Sequence, residues 1–219
     1  IPIHVAIAYQ IPLIFLGENP AWTIGERHGR LDGDASQMRH ANTLKGGSAA
    51  EFVKADATPH DLHFYNYPPE EDVERADLRI IYLGYYIPDW SGRNNARFAI
   101  EHGLQVRHEP PEKTGDLWGF TGVDEDSRLV NQMVKFVKLG FGHVTDQACE
   151  AINAGLMTRE EGLDLVRRYD GKCDPYYVRK FCRYLGIAEE TFWRVVDAYR
   201  RPDLWERDGA GAWKLKEPA

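Results

Sequence analysis

The sequence predicts an α/β fold that gives way to a helical second half. Three observations predict it. Two short apolar runs, residues 11–16 and 79–86, each end in polar turn residues. The stretch before the first run has the character of a helix end, so helix, strand and polar turn follow in α/β rhythm. From Arg128 onward, apolar residues recur at helical spacing and glycines mark the breaks. The change of pattern divides the chain into residues 1–127, an α/β portion, and 128–219, a helical region.

Residues 3–9 read as a helix end. Ile11-Pro12-Leu13-Ile14-Phe15-Leu16 reads as a buried strand of a parallel sheet, closed by Gly17-Glu18-Asn19-Pro20. Residues 25–60, rich in Gly, His, Asp and Ser, read as a long loop with one helical turn near 49–53. Pro68-Pro69 followed by four acids within the next five residues reads as a helix opening. Residues 79–86 form the second strand, and 94–102 a helix ended by Gly103.

In the second half, Leu129, Met133, Phe136 and Val137 share a helix face that Gly140 ends. Residues 146–153 form a short helix, and Thr158-Arg159-Glu160-Glu161 is a capping box for a helix bearing Leu163, Val166 and Tyr169. Asp174-Pro175 opens a helix with Phe181 and Leu185 on its core face. Phe192, Val195, Val196 and Tyr199 make the core stripe of the last one.

Composition bounds the function. Of 219 residues, 43% are hydrophobic and 28% charged, the mix of a soluble globular chain. The net charge of -7 and the lack of a strongly basic run argue against nucleic-acid binding. Cys149, Cys173 and Cys182 form no CxxC pair, so neither a disulfide framework nor a four-cysteine zinc site is expected, and a cytoplasmic location is. No apolar run approaches a membrane span, so no membrane partner is expected either.

Three constellations could carry chemistry. Glu18 and Asn19 follow a strand, where the loops of parallel sheets hold ligands; they suit a ribose, a substrate amide or a magnesium-bound phosphate, or else an ordinary turn. In Lys138-Leu139-Gly140-Phe141-Gly142-His143-Val144-Thr145-Asp146, two glycines allow close backbone approach and a helix N-terminus follows. That is a phosphate cradle with Lys138 as its point charge, or a helix–turn–helix joint capped by Thr145 or Asp146. Tyr85, Tyr86 and Trp90 suit sugar or base stacking, or a packed rim. His60 and His63 lack a third metal ligand, Asp124 and Asp126 read as a solvated turn, and no metal site is expected. The Lys138–Asp146 stretch is not a Walker loop, since GxxxxGK[ST] is absent, and Gly46-Gly47-Ser48, which follows no clear strand, reads as a flexible loop.

Taken together, IPLIFLGENP, RIIYLGYYIPDW, KLGFGHVTDQACEAINAGLMTREEGLDLVRRYDG and the tail FCRYLGIAEETFWRVVDAYRRPDLW resemble the C-terminal part of the ATP-dependent N-acetyl-sugar amidotransferases of surface-polysaccharide biosynthesis. The third of these closely follows that family's K-x-G-F-G-R-A-T-D…G-x-M-T-R-E-E-A…L-V-x-x-Y-D-G pattern. The resemblance implies a PP-loop ATP pyrophosphatase fold, incomplete at its N-terminus here, followed by a helical region. It implies that an acetamido group on a nucleotide-activated sugar becomes an acetamidino group. ATP with Mg²⁺ would adenylate the amide oxygen, and ammonia from a partner glutaminase would displace it. By the same resemblance, Lys138, Glu18 and Asp146 are the candidate catalytic residues. Asn19, Gly140, Gly142 and His143 are the candidates for cofactor binding, and Tyr86 and Trp90 for substrate binding.

Four departures stand out. The family's S-G-G-x-D-S pyrophosphate loop and its cysteine pairs, which would carry any zinc, belong upstream of these residues. His143 stands where the family usually has Arg, and Ser91 where an Asp usually follows the Trp. The sequence therefore also admits a truncated, non-catalytic module that binds a sugar nucleotide or a partner. A tRNA-modifying PP-loop enzyme fits the charge less well.

Overall fold

A computed structural model of the chain describes residues 1–17, 32–36 and 58–216. The chain divides into two compact units, Ile1–Phe98 and Ala99–Ala219.

The first unit opens with α1 (Pro2–Ala8), whose proline sits in the first turn where no backbone N–H is needed. Strand β1 (Leu13–Leu16) follows. Next come α2 (Glu70–Arg75), with three acids in its first turn, and β2 (Arg79–Tyr82). The expected parallel sheet forms: β1 and β2 pair in parallel from Leu13↔Arg79 to Leu16↔Tyr82. On the far edge of β2, the Ala35 N–H donates to the Ile80 carbonyl at 3.0 Å and the Tyr82 N–H to the Gly33 carbonyl at 2.8 Å. Ala35, Ile80 and Tyr82 are buried, with Ile3, Ile14, Leu16, Leu78 and Tyr85 packed around them.

Two expectations for this unit need correction. The β1 run is not buried on both faces: Phe15 is 56% exposed, and β2 is the one strand paired with β1 among the described residues. The sheet is thus much smaller than a whole PP-loop sheet. The second strand also stops at Tyr82, because Leu83–Tyr85 turns into a 3-10 helix. Gly84 makes that turn possible, since a Cβ there would lie 2.6 Å from the Trp90 indole. The helical turn expected near 49–53 lies outside the described residues.

The helix α3 (Gly92–Glu101) spans the division between the units. Ser91 starts it, its Oγ accepting the Asn94 N–H at 3.1 Å. Serine and aspartate are both good N-cap residues, so Ser91 keeps the capping task that an aspartate would perform there.

The second unit holds the single turn α4 (Pro111–Thr114), then α5 (Ser127–Leu139), α6 (His143–Asn153), α7 (Arg159–Tyr169), α8 (Pro175–Leu185) and α9 (Glu189–Ala198). An antiparallel hairpin of β3 (Trp205–Arg207) and β4 (Trp213–Leu215) follows. Leu129, Val130, Met133 and Val137 of α5 pack on Tyr177, Val178 and Cys182 of α8 and on Phe192 and Val196 of α9. Each large buried aliphatic or aromatic side chain in this layer contributes roughly 1.5–3 kcal/mol. Gly140 (φ 78°) and Gly186 (φ 67°) end α5 and α8 in the left-handed conformation. The capping box at Thr158 is present, with both bonds to Glu161.

Some stripe residues face outward instead of into the core. Leu185 is 48% exposed, Val195 48% and Tyr199 62%. On α9, Phe192 and Val196, one turn apart, take the core position, which leaves Val195 and Tyr199 on its flank. Among the described residues, no helix is long and apolar enough to cross a membrane.

Candidate functional site

The polar centre of the second unit is built on three short stretches: the loop after α4, the start of α6 and the residues after α7. In the loop, Asp116 is buried, and four donors surround its carboxylate. Oδ1 accepts the backbone N–H groups of Trp118 (2.9 Å) and Gly119 (3.1 Å) and the Gln147 side-chain amide (2.7 Å). Oδ2 accepts the Thr121 hydroxyl at 3.5 Å. Gln147 completes the exchange by accepting the Leu117 N–H at 2.8 Å. Burial pushes the Asp116 carboxyl up, yet Gln147, the two backbone N–H groups and His143 together hold it below its ordinary value.

His143, the first residue of α6, faces this carboxylate. Its Nε2 lies 3.3 Å from Thr121 Oγ1, 3.5 Å from Arg128 Nη1 and 4.0 Å from Asp116 Oδ2. Burial, and next the Arg128 charge, push His143 below its ordinary value, against the opposing pull of Asp116. The imidazole is therefore neutral at neutral pH, with Nε2 in hydrogen-bond reach of the Thr121 hydroxyl and the Arg128 guanidinium. Arg128 lays its aliphatic stem on Gly122, where a Cβ would come within 2.2 Å. No carboxylate pairs with Arg128 among the described residues.

The third stretch is Tyr169-Asp170-Gly171. Asp170 is buried and reaches back 28 residues to the glycine turn. It accepts the N–H groups of Gly142 (2.8 Å) and Val144 (3.0 Å) and the Thr145 hydroxyl (2.6 Å). Asp170 is thus the N-cap of α6, supplied from elsewhere in the chain. This corrects two expectations: α6 starts at His143, not at residue 146, and neither Thr145 nor Asp146 caps it. Gly142 has to be glycine because a Cβ would sit 2.6 Å from Asp170 Oδ1. At Gly171 (φ 74°) a Cβ would sit 2.1 Å from the Phe136 ring.

Residues 116–218 match the family of LPS biosynthesis proteins described as WbpG-like, C-terminal domain. The match covers a little under half of the chain. No curated protein matches the chain. The matched stretch begins at Asp116 itself and contains both buried carboxylates.

Other predicted site residues fall in three groups. Glu18 and Asn19 lie outside the described residues. Tyr86 and Trp90 both lie in the first unit, after the carboxyl end of β2. Tyr86 is 57% exposed, its ring near Gly33, and Trp90 covers Gly84. In the second unit, Gly140, Gly142 and His143 form the joint between α5 and α6. Lys138 points elsewhere, its ammonium 5.8 Å from the Tyr199 ring centre. It has no hydrogen bond or ion pair to Gly142, His143 or Asp146 among the described residues. Asp146 pairs with Lys135.

Sequence reasoning gave no role to Asp116, Thr121, Arg128, Gln147 or Asp170. A signal existed for the last: an aspartate between an aromatic residue and a glycine, at the end of an amphipathic helix, is placed to turn inward. Of the His60 and His63 pair, His63 packs, its ring 5.3 Å from His4 and 5.1 Å from Phe64, while His60 is exposed. Among the described residues, no group of three or more His, Cys, Asp or Glu is placed to hold a metal.

Proposed function

We propose that this chain acts in lipopolysaccharide biosynthesis as the C-terminal part of an ATP-dependent N-acetyl-sugar amidotransferase. The observation that carries this reading is the WbpG-like domain over residues 116–218, joined to the amidotransferase-like motifs that the whole chain bears. The acceptor is the acetamido group of a nucleotide-activated sugar. An amide oxygen leaves poorly, so it is first converted to a phosphate ester by ATP and then displaced by ammonia from a glutaminase partner.

The geometry narrows where such a reaction would be held. The amides at the start of α6 do not fit a phosphate. Two of the groups that would bind it are bonded to Asp170, and a second anion would face that carboxylate. On this reading Glu18 and Asn19, which follow β1 in the sequence, hold the nucleotide and Mg²⁺. Lys138, exposed and without a carboxylate partner among the described residues, supplies positive charge for departing pyrophosphate. Tyr86 is the exposed aromatic surface for the sugar or base. Arg128, an arginine fork beside neutral His143, is suited to the diphosphate of a sugar nucleotide.

The test is an assay of the full-length protein with ATP, ammonia and a set of nucleotide-linked N-acetyl sugars, with an amidine product sought by mass. Arg128→Ala is expected to raise KM at least tenfold with little change in kcat. Product formation without ATP, or none with any such sugar, would overturn the reading. The second reading, a non-catalytic module, predicts sugar-nucleotide binding with no turnover in the full-length protein.

A further inference from the structure

The solvent face of α8 carries Tyr176, Arg179, Lys180, Arg183 and Tyr184 at the i, i+3, i+4, i+7, i+8 spacing of one helical stripe. Tyr177, Val178 and Cys182 take the buried face. Tyr184 is 85% exposed. No acidic residue lies on α8. Lys180 reaches Asp126, but Arg179 and Arg183 have no hydrogen-bond or ion-pair partner among the described residues. The stripe is thus aromatic and cationic, about 12 Å long at 1.5 Å per residue.

A second feature has the opposite chemistry. The turn before α7 and its first two turns form an open groove of about 560 Å³, lined by Leu156, Met157, Glu160, Glu161, Asp164 and Leu165. Leu156 is 59% exposed. On the rim, Asp164 pairs with Arg168 at 3.2 Å and Glu161 is held by the Thr158 capping box, so Glu160 is the rim carboxylate with no partner among the described residues. An apolar floor with an acidic rim suits a group that is aromatic and cationic. The α8 stripe is such a group, and the exposure of Tyr184 shows that it does not fill the groove of its own chain.

We propose that the α8 stripe of one copy docks into the α7 groove of a second copy, Tyr184 covering the apolar floor and Arg183 facing Glu160. If each partner offers both surfaces to the other, a closed two-fold dimer results; if not, an open chain does. Either arrangement is self-association through these two surfaces, and its charged rims make it weaken as salt is raised.

Sedimentation velocity of the intact protein across loading concentrations, at low and high salt, tests this. Self-association is expected at low salt. Arg183→Glu and Glu160→Lys are each expected to weaken it at least tenfold, with circular dichroism unchanged. Mixing the two variants restores one complementary contact, now glutamate on α8 against lysine on α7, and is expected to recover association. A wild-type monomer at low salt and high concentration would overturn the proposal. So would unchanged assembly of both variants, or failure of the mixture to associate. Binding of Arg183-dependent monomers to vesicles containing phosphatidylglycerol would also overturn it, by assigning the stripe to a membrane surface.

Discussion

Asp170 holds three donors that lie 25 to 28 residues away in sequence. Replacing a buried acceptor leaves its donors unpaired at a cost of about 1–3 kcal/mol. Asp170→Asn keeps the shape but turns one acceptor into a donor that faces the Gly142 or Val144 N–H. It is expected to lower stability by about 2 kcal/mol, read as a drop in the denaturation midpoint with an unchanged slope. Gly142→Ala would push a methyl into the same carboxylate. The two effects act on one contact, so the double variant should lose less than the sum. Additive losses would show that Asp170 does not act through that turn. His143 supplies a pH dependence. Its folded value is lowered, chiefly by burial and then by Arg128. The unfolded chain therefore binds a proton at a pH where the folded chain does not. Its stabilising contribution is complete above the ordinary histidine value of about 6.5 and is lost as pH falls below that. Asp116, also lowered, adds a second loss at lower pH, below the ordinary carboxylate value of about 4. In a pH series of urea midpoints, His143→Gln should flatten the first decline and leave the second.

Caps and patterns carry most of what is local at the element scale. The Thr158 side chain accepts the Glu161 N–H at 3.2 Å, and the Glu161 side chain accepts the Thr158 N–H at 2.8 Å. Thr158→Ala should cost about 1 kcal/mol, measured as a shift in thermal midpoint, and Thr158→Ser almost nothing. A large loss from the serine variant would mean that the methyl, not the cap, matters. This box was legible in the sequence because its four residues are contiguous. The C-terminal glycines of α5 and α8 were legible for the same reason. The start of α6 was not, because its cap comes from a residue beyond the next helix. The β3–β4 hairpin was missed too, although Asp208-Gly209-Ala210-Gly211 between two tryptophan-bearing segments is a turn signal. What fixes that hairpin is non-local: the Arg200 guanidinium lies 4.6 Å from the Trp205 ring centre and 4.8 Å from that of Trp213, with Arg207 at 3.8 Å from the latter.

For the whole molecule, the two units differ in how much apolar surface they remove from water. The core of the second joins three helices through nine buried residues. The described core of the first is three buried residues beside a two-stranded parallel sheet. Parallel sheets are stable when both faces are covered, yet Phe15, Val5, Tyr9 and Ile11 are all exposed here. Sequence patterning could show that residues 11–16 are apolar, but not whether anything packs on them, because alternation and run length report a strand's preference and not its neighbours. The same asymmetry makes a prediction about folding. Residues 99–219 expressed alone should unfold in one cooperative transition, with dispersed amide resonances, since the buried carboxylates and the helical core all lie inside that segment. Residues 1–98 alone should show no cooperative transition and should expose apolar surface to a hydrophobic dye. A second unit that melts without cooperativity when isolated would mean that its core does not hold by itself, and that the helical layer depends on the α/β unit for its stability.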